Sequence, residues 1–445
     1  MYSRVEELNS RRIPLAKMQA VIIGLRCLFV PHESHIRRQA MCLQSDLTLH
    51  IIWHSHCRVW RDKNDFLHIM NNTSKLEASN LQQLLTALQR SGYTTVGPIL
   101  RDDAIVYDKL DSVNDLPVGW SDEQSPANYR LTKQSGASYF NFNAAPQSWK
   151  RFLYPPVRKL FTIRKDGKSL GISNENTDDM KYAFVGVRPC ELSAILIQDE
   201  VFQAGKYRDD AYSAARRNLF IVAVNCTTAG GTCFCSSMKT GPEAKNNFDI
   251  SLTEVLRDGR HFFIVKAGTE LGASVMDLVE TSAASPQEVA TADAIMRQTE
   301  SRITKKMETD GLPALLAENL EHPHWDDVAK RCLTCGNCTM VCPTCFCSTV
   351  EDTTDLSGQN AERFRRWDSC FTVDFSKVAG GNFRMSTKSR YRQWLTHKLS
   401  SWVDQFGVSG CVGCGRCITW CPVGIDLTAE VQAIRGTETQ QRKGD

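Results

Sequence analysis

Apolar residues along this chain change period several times, and each change predicts an element. Leu81, Leu84, Leu85 and Leu88 recur at helical steps, and Gly92 follows as a stop. Two extended runs come next, Val96 to Leu100 and Ala104 to Tyr107, split by the polar turn Arg101-Asp102-Asp103. The stretch from Val118 to Asn128 reads as loop, and Tyr129 to Pro156 as irregular chain rich in aromatic residues. An alternating rhythm then begins. Tyr182 to Val187 predicts a buried strand, Glu191 to Phe202 a helix, and Leu219 to Val224 a second strand. Asp249 to Val255 and His261 to Lys266 predict a hairpin turning at Asp258-Gly259, and Val289 to Met307 a long amphipathic helix. Tyr391, Trp394, Leu395, Leu399, Trp402 and Phe406 line one helical face that Gly407 should close.

Before residue 69 no period is sustained. That stretch carries six of the ten histidines and scattered arginines, and is expected to be an extension or a start set too far upstream, with Met70 as the other start. His54, His56 and Cys57 could bind metal there, but no pattern supports it, and Cys27 and Cys42 have no partner pattern. The expected organisation is an extension over 1–72, an α/β or α+β domain over 73–310, and a polar tail over 431–445. Between them, 311–430 should form an α-helical, bacterial-ferredoxin-like dicluster domain with a helical insertion between its two cluster motifs.

Cysteine chemistry dominates the C-terminal part. Cys332, Cys335, Cys338 and Cys342 are followed by Pro343, and Cys411, Cys414, Cys417 and Cys421 by Pro422, with identical internal spacing. Three thiolates two residues apart can wrap one face of an iron–sulfur cube, and the fourth in two-cluster ferredoxins reaches the other cube. The spacing therefore predicts two [4Fe–4S] sites, one on Cys332, Cys335, Cys338 and Cys421, the other on Cys411, Cys414, Cys417 and Cys342. A single such run would suit zinc equally, whereas two identical runs favour iron. Cys190 follows one strand, and Cys226, Cys233 and Cys235 follow another in a loop containing Gly230 and Gly231. These four could hold a third [4Fe–4S] cluster at one sheet edge, or could be small buried residues. Cys345, Cys347 and Cys370 could replace a ligand, form a redox-active thiol pair, or line the cluster pocket. The basic run Arg384, Lys388, Arg390, Arg392 and Lys398 is a solvated face, a counter-charge for the clusters, or a docking surface for an acidic partner.

A net charge of +3 over 445 residues gives no reason to expect a nucleic-acid or membrane surface. Eighteen cysteines in tight groups point to metal and a reducing compartment, so a cytoplasmic location is expected. The apolar stretch from Met18 to Pro31 is broken by Arg26 and is too short to span a bilayer. No Gly-x-Gly-x-x-Gly follows a strand, no phosphate-binding lysine loop occurs, and no catalytic residue is assigned. Tyr139, Phe140, Phe142 and Trp149 could flank a flavin, though such residues are more often core.

Several stretches resemble one family. They are Val185-Gly-Val-Arg-Pro-Cys-Glu-Leu192, the loop from Asn225 through Cys235 to Pro242, and Cys332 to Cys347 ending in Cys-Pro-Thr-Cys-Phe-Cys. Trp367-Asp-Ser-Cys-Phe371, Val378-Ala-Gly-Gly-Asn-Phe383, Tyr129-Arg-Leu131 and Phe152-Leu-Tyr-Pro-Pro156 belong to the same likeness. Together, over about residues 75–430, they are similar to the 4Fe–4S dicluster family. That family contains the beta subunit of cytoplasmic sulfhydrogenases or nickel–iron hydrogenases, and the dicluster subunit of the anaerobic sulfite reductase. The resemblance implies an electron-transfer subunit between a flavin-containing NAD(P)H-binding partner, or a ferredoxin, and a catalytic subunit. A hydrogenase or sulfhydrogenase is the first expectation and the sulfite reductase the second. An iron–sulfur sensor or structural module is the alternative of another class.

Overall fold

Strands rich in Val, Ile and Phe, buried on both faces, organise the molecule. In the computed structural model, which describes residues 73–143, 145–174 and 180–441, eight strands form one sheet. In chain order the strands are β1 (Thr73–Glu77), β2 (Thr94–Arg101), β3 (Ala104–Lys109), β4 (Trp120–Ser125), β5 (Asn128–Lys133), β6 (Val157–Asp166) and β7 (Ser169–Asn174). They continue as β8 (Tyr182–Val187), β9 (Leu219–Val224), β10 (Ile250–Arg257), β11 (Arg260–Ala267), β12 (Ser282–Ala283), β13 (Ser348–Thr354) and β14 (Asn360–Trp367). The sheet runs β12-β1-β11-β10-β9-β8-β2-β3, with parallel pairing from β2 through β8 and β9 to β10. Alternation divides each central strand between two cores. Phe220, Val222 and Val224 pack with Ala183, Val185 and the helix Leu81–Arg90 on one face. Ile221, Ala223 and Phe184 meet Leu192, Ile195 and Phe202 of the helix Pro189–Phe202 on the other.

The β10–β11 hairpin turns at Asp258-Gly259, both with positive φ, as Asp-Gly predicts. Two expectations fail in informative ways. The stretch expected to be loop, Val118 to Asn128, contains β4 and is paired with β5. Its residues are polar because only one side is covered, and the cover comes from the second cysteine motif: Ala127 N donates to Ile418 O at 3.3 Å and Tyr129 packs on Trp420. The segment between the motifs is also not simply helical. It opens with β13 and β14, which join β6 and β7 in a four-stranded sheet ordered β13-β14-β6-β7. Only then comes a helix over 387–406, whose middle turn, His397–Ser401, widens to π-helical geometry before Gly407 ends it at φ 72°.

The C-terminal part buries Trp325, Tyr391, Trp394, Ile418 and Leu427 in one core, to which Phe234 of the α/β part also belongs. The helix Leu427–Gln441 carries Val431 and Ile434 into this core, so the expected polar tail over 431–445 begins inside a helix. The expectations for residues 1–72, including Cys27, Cys42, His54, His56 and Cys57, lie outside the described residues. Among the described residues no helix is long and apolar enough to cross a membrane.

Candidate iron–sulfur centres

The two cysteine runs fold as copies of one loop. In the first, Thr334 and Gly336 have φ of 53° and 76°; in the second, Gly413 and Gly415 have 64° and 76°. The left-handed residue turns its amide back onto the preceding thiol: Thr334 N lies 3.4 Å from Cys332 Sγ, and Gly413 N lies 3.4 Å from Cys411 Sγ. A second left-handed residue starts a single helical turn, Asn337–Met340 or Arg416–Thr419, and these two turns pack on each other. That contact carries the last cysteine of each run across to the other loop. Cys332, Cys335, Cys338 and Cys421 line one cavity together with Phe371, Tyr391 and Trp394. Cys342 lies near Cys411, Cys414 and Cys417, close enough to raise each of their thiol pKa values.

The donor chemistry fits two cubes. Amide N–H groups aimed at sulfur favour thiolates, as in the bond from Ile425 N to Cys421 Sγ at 3.3 Å. Burial pushes the Cys338 and Cys417 thiols well above their ordinary range and Cys411 up to about 12. Such thiols give up their protons only to a metal that replaces the charge. Among the described residues no three Cys, His, Asp or Glu side chains close on a point that could hold a single ion.

Two buried cations flank the second loop. Lys398, 3% exposed, places Nζ 3.3 Å from Cys342 Sγ, 3.0 Å from Thr344 Oγ1 and 3.0 Å from Gly410 O. Burial opposes its charge, but the thiols of Cys342, Cys345 and Cys411 outweigh it and hold its pKa well above the usual lysine range. Arg416, inside the second motif, forms a fully buried ion pair with Glu191, the residue after Cys190. Burial pushes the Glu191 carboxyl up while Arg416 pulls it down, and Arg416 also donates to Ala145 O at 2.7 Å. Of the basic run, Lys398 thus acts as counter-charge, and Arg390 is likewise buried, donating to Phe371 O at 2.7 Å. Glu191 and Arg416 were missed in the sequence, although each adjoins a cysteine of a candidate group.

The N-terminal cysteines meet for the reason their strands suggest. β8 and β9 are parallel neighbours, so Cys190 after one and Cys226 after the other emerge at one edge. Cys190 is close to Cys235, and Cys233 to both Cys235 and Cys226. Gly230 is required here, because a Cβ would stand 2.8 Å from Cys233 Sγ. Arg188 lies beneath, donating to Phe140 O at 2.7 Å and lying beside Cys226, whose thiol its charge lowers against burial. This loop presses on the second motif: Phe234 N donates to Gly413 O at 2.8 Å and Thr240 Oγ1 to Val412 O at 2.6 Å. Cys233 Sγ lies 3.7 Å from Cys414 O, so the group borders the second loop. The candidate flavin-flanking aromatics instead divide between cores: Phe140 and Phe142, with Tyr139 against them, on one face of the sheet, and Trp149 on the other.

Residues 331–425 match the family described as the 4Fe–4S dicluster domain. Sulfhydrogenase 2 subunit beta of Pyrococcus furiosus is 28% identical over 369 residues, covering 81% of this chain and 98% of that protein. The chain thus carries a 4Fe–4S dicluster domain and is similar along most of its length to a hydrogenase beta subunit. No solved structure matches it significantly.

Proposed function

We propose that the chain is the iron–sulfur electron-transfer subunit of a multi-subunit oxidoreductase. It relays electrons between a flavin- and NAD(P)H-binding partner, or a ferredoxin, and a catalytic subunit of the soluble nickel–iron hydrogenase or sulfhydrogenase type in the cytoplasm. Cys332, Cys335, Cys338 and Cys421 hold one [4Fe–4S] cluster; Cys411, Cys414, Cys417 and Cys342 hold the second. Cys190, Cys226, Cys233 and Cys235 hold a third. Bound clusters supply one-electron redox chemistry at potentials set by charge, hydrogen bonds and exposure. The chain's own residues space the thiols, exclude water and place Lys398, Arg416 and Arg188 where they offset thiolate charge.

The observation that carries this reading is the succession of three cysteine groups. The first reaches solvent through the exposed Cys335. The second shares the crossed loops with it, and the third borders the second at Cys414. Similarity to a hydrogenase beta chain supports a complex of several chains. The test is iron and acid-labile sulfide per chain after anaerobic purification, with EPR of the reduced protein. About twelve irons, falling to about eight in Cys233→Ser/Cys235→Ser, are expected from three cubes. About eight irons in the unaltered chain would leave the N-terminal group structural, and zinc in place of iron would overturn the reading.

A further inference from the structure

Among the described residues three cysteines stand outside the three ligand groups, and two of them face each other. β13 begins at Ser348 opposite Trp367, the last residue of β14. The ladder runs one step further, with Asp368 N donating to Cys347 O at 2.9 Å. The chain then turns so that the Cys370 thiol and its own N–H both hydrogen-bond the Cys347 sulfur. Both thiols are partly exposed. Cys345 is occupied differently, hydrogen-bonded to Cys342. Two buried lysines serve this pocket. Lys150 Nζ donates to Cys345 O at 3.0 Å and lies 3.9 Å over the Trp367 ring, and Lys398 approaches from the second loop.

We propose that Cys347 and Cys370 form a reversible dithiol–disulfide couple that ties the base of this hairpin beside the cluster loops. The thiols already touch, so closing the bond needs side-chain rotation rather than chain movement. The oxidant is a small-molecule disulfide. The Cys347 thiolate attacks one of its sulfurs and expels a thiolate. The Cys370 sulfur then displaces the second thiol, giving its proton to solvent. Two protein thiols become one S–S bond and the external disulfide becomes two thiols. The hydrogen bonds from Cys370, aided by the charges of Lys398 and Lys150 against burial, hold the Cys347 thiol down to about 7 and supply the attacking thiolate. The couple also reaches the first loop: Ser369 Oγ accepts from Thr339 Oγ1 at 2.8 Å, and a Cβ on Gly336 would lie 3.0 Å from it.

The test uses the metal-loaded full chain, equilibrated anaerobically with oxidised glutathione, acid-quenched, alkylated and digested for mass spectrometry. A Cys347–Cys370 linked peptide is expected, reversed by dithiothreitol with iron per chain unchanged. Cys370→Ser should trap about one glutathione per chain on Cys347. The proposal is overturned if both thiols stay individually alkylated, if Cys347 pairs only with Cys345, or if Cys370→Ser and Cys347→Ser each lose iron, which would make the pair metal ligands. This outcome is independent of the iron count that tests the electron-transfer reading.

Discussion

Replacing Lys398 by Met removes a charge in direct contact with a candidate ligand of the second cluster while keeping a side chain of similar length. Nζ is 3.3 Å from Cys342 Sγ. Two unit charges about 4 Å apart at an effective dielectric constant near 20 interact by about 4 kcal/mol, and an added electron spread beyond the sulfur feels roughly half of that. For a one-electron couple each 1.4 kcal/mol is about 59 mV, so the loss of charge should lower the second cluster's potential by about 80–170 mV. The sign follows from removing a cation beside a centre that gains an electron. The fold should survive, because Gly410 O keeps the hydrogen bond from Thr344 Oγ1 at 2.7 Å. An EPR-monitored redox titration of the metal-loaded chain reads both centres at once. One centre should shift by that amount and the centre in the Cys332 cavity by less than about 30 mV. Equal shifts in both, or none above about 30 mV in either, would refute the assignment of Cys342 and Lys398 to one site.

Gly413→Ala should cost about 1–2 kcal/mol from its left-handed backbone alone, before the overlap of its Cβ with the Cys235 backbone at 2.8 Å. Reduced iron loading and a lower denaturation midpoint would show it, with Gly380→Ala, which meets only open space, as the unchanged control. Arg416→Met leaves Glu191 buried without its cation and should destabilise the loaded chain by about 3–5 kcal/mol in denaturant unfolding. Adding Glu191→Gln should restore part of that loss, and an unchanged midpoint in the single variant would show that the pair contributes little. The iron count in Cys233→Ser/Cys235→Ser and the linked peptide at Cys347 and Cys370 complete the set.

Features set by near neighbours in the chain were legible without coordinates. The spacing of each cysteine run dictates its loop, and the Gly after the second cysteine supplies the left-handed turn that starts the short helix. The period of Leu81 to Leu88, the hairpin at Asp258-Gly259 and the strand before Cys190 were legible for the same reason. Tertiary structure decided what depends on partners far along the chain. The polar β4 and β5 hold because the second motif, almost three hundred residues on, covers one side of them. β13 and β14 needed β6 and β7 as neighbours before their charged residues could read as a sheet. Lys398 looked like one member of a solvated basic face, and only the widened helical turn brings it inward to Cys342. The Arg416–Glu191 pair and the seating of the Cys226–Cys235 loop on Gly413 are likewise contacts between distant segments. A sequence states which thiols could share a cube, because that is local geometry; which charges surround them is fixed by packing, because burial and proximity exist only in the folded chain.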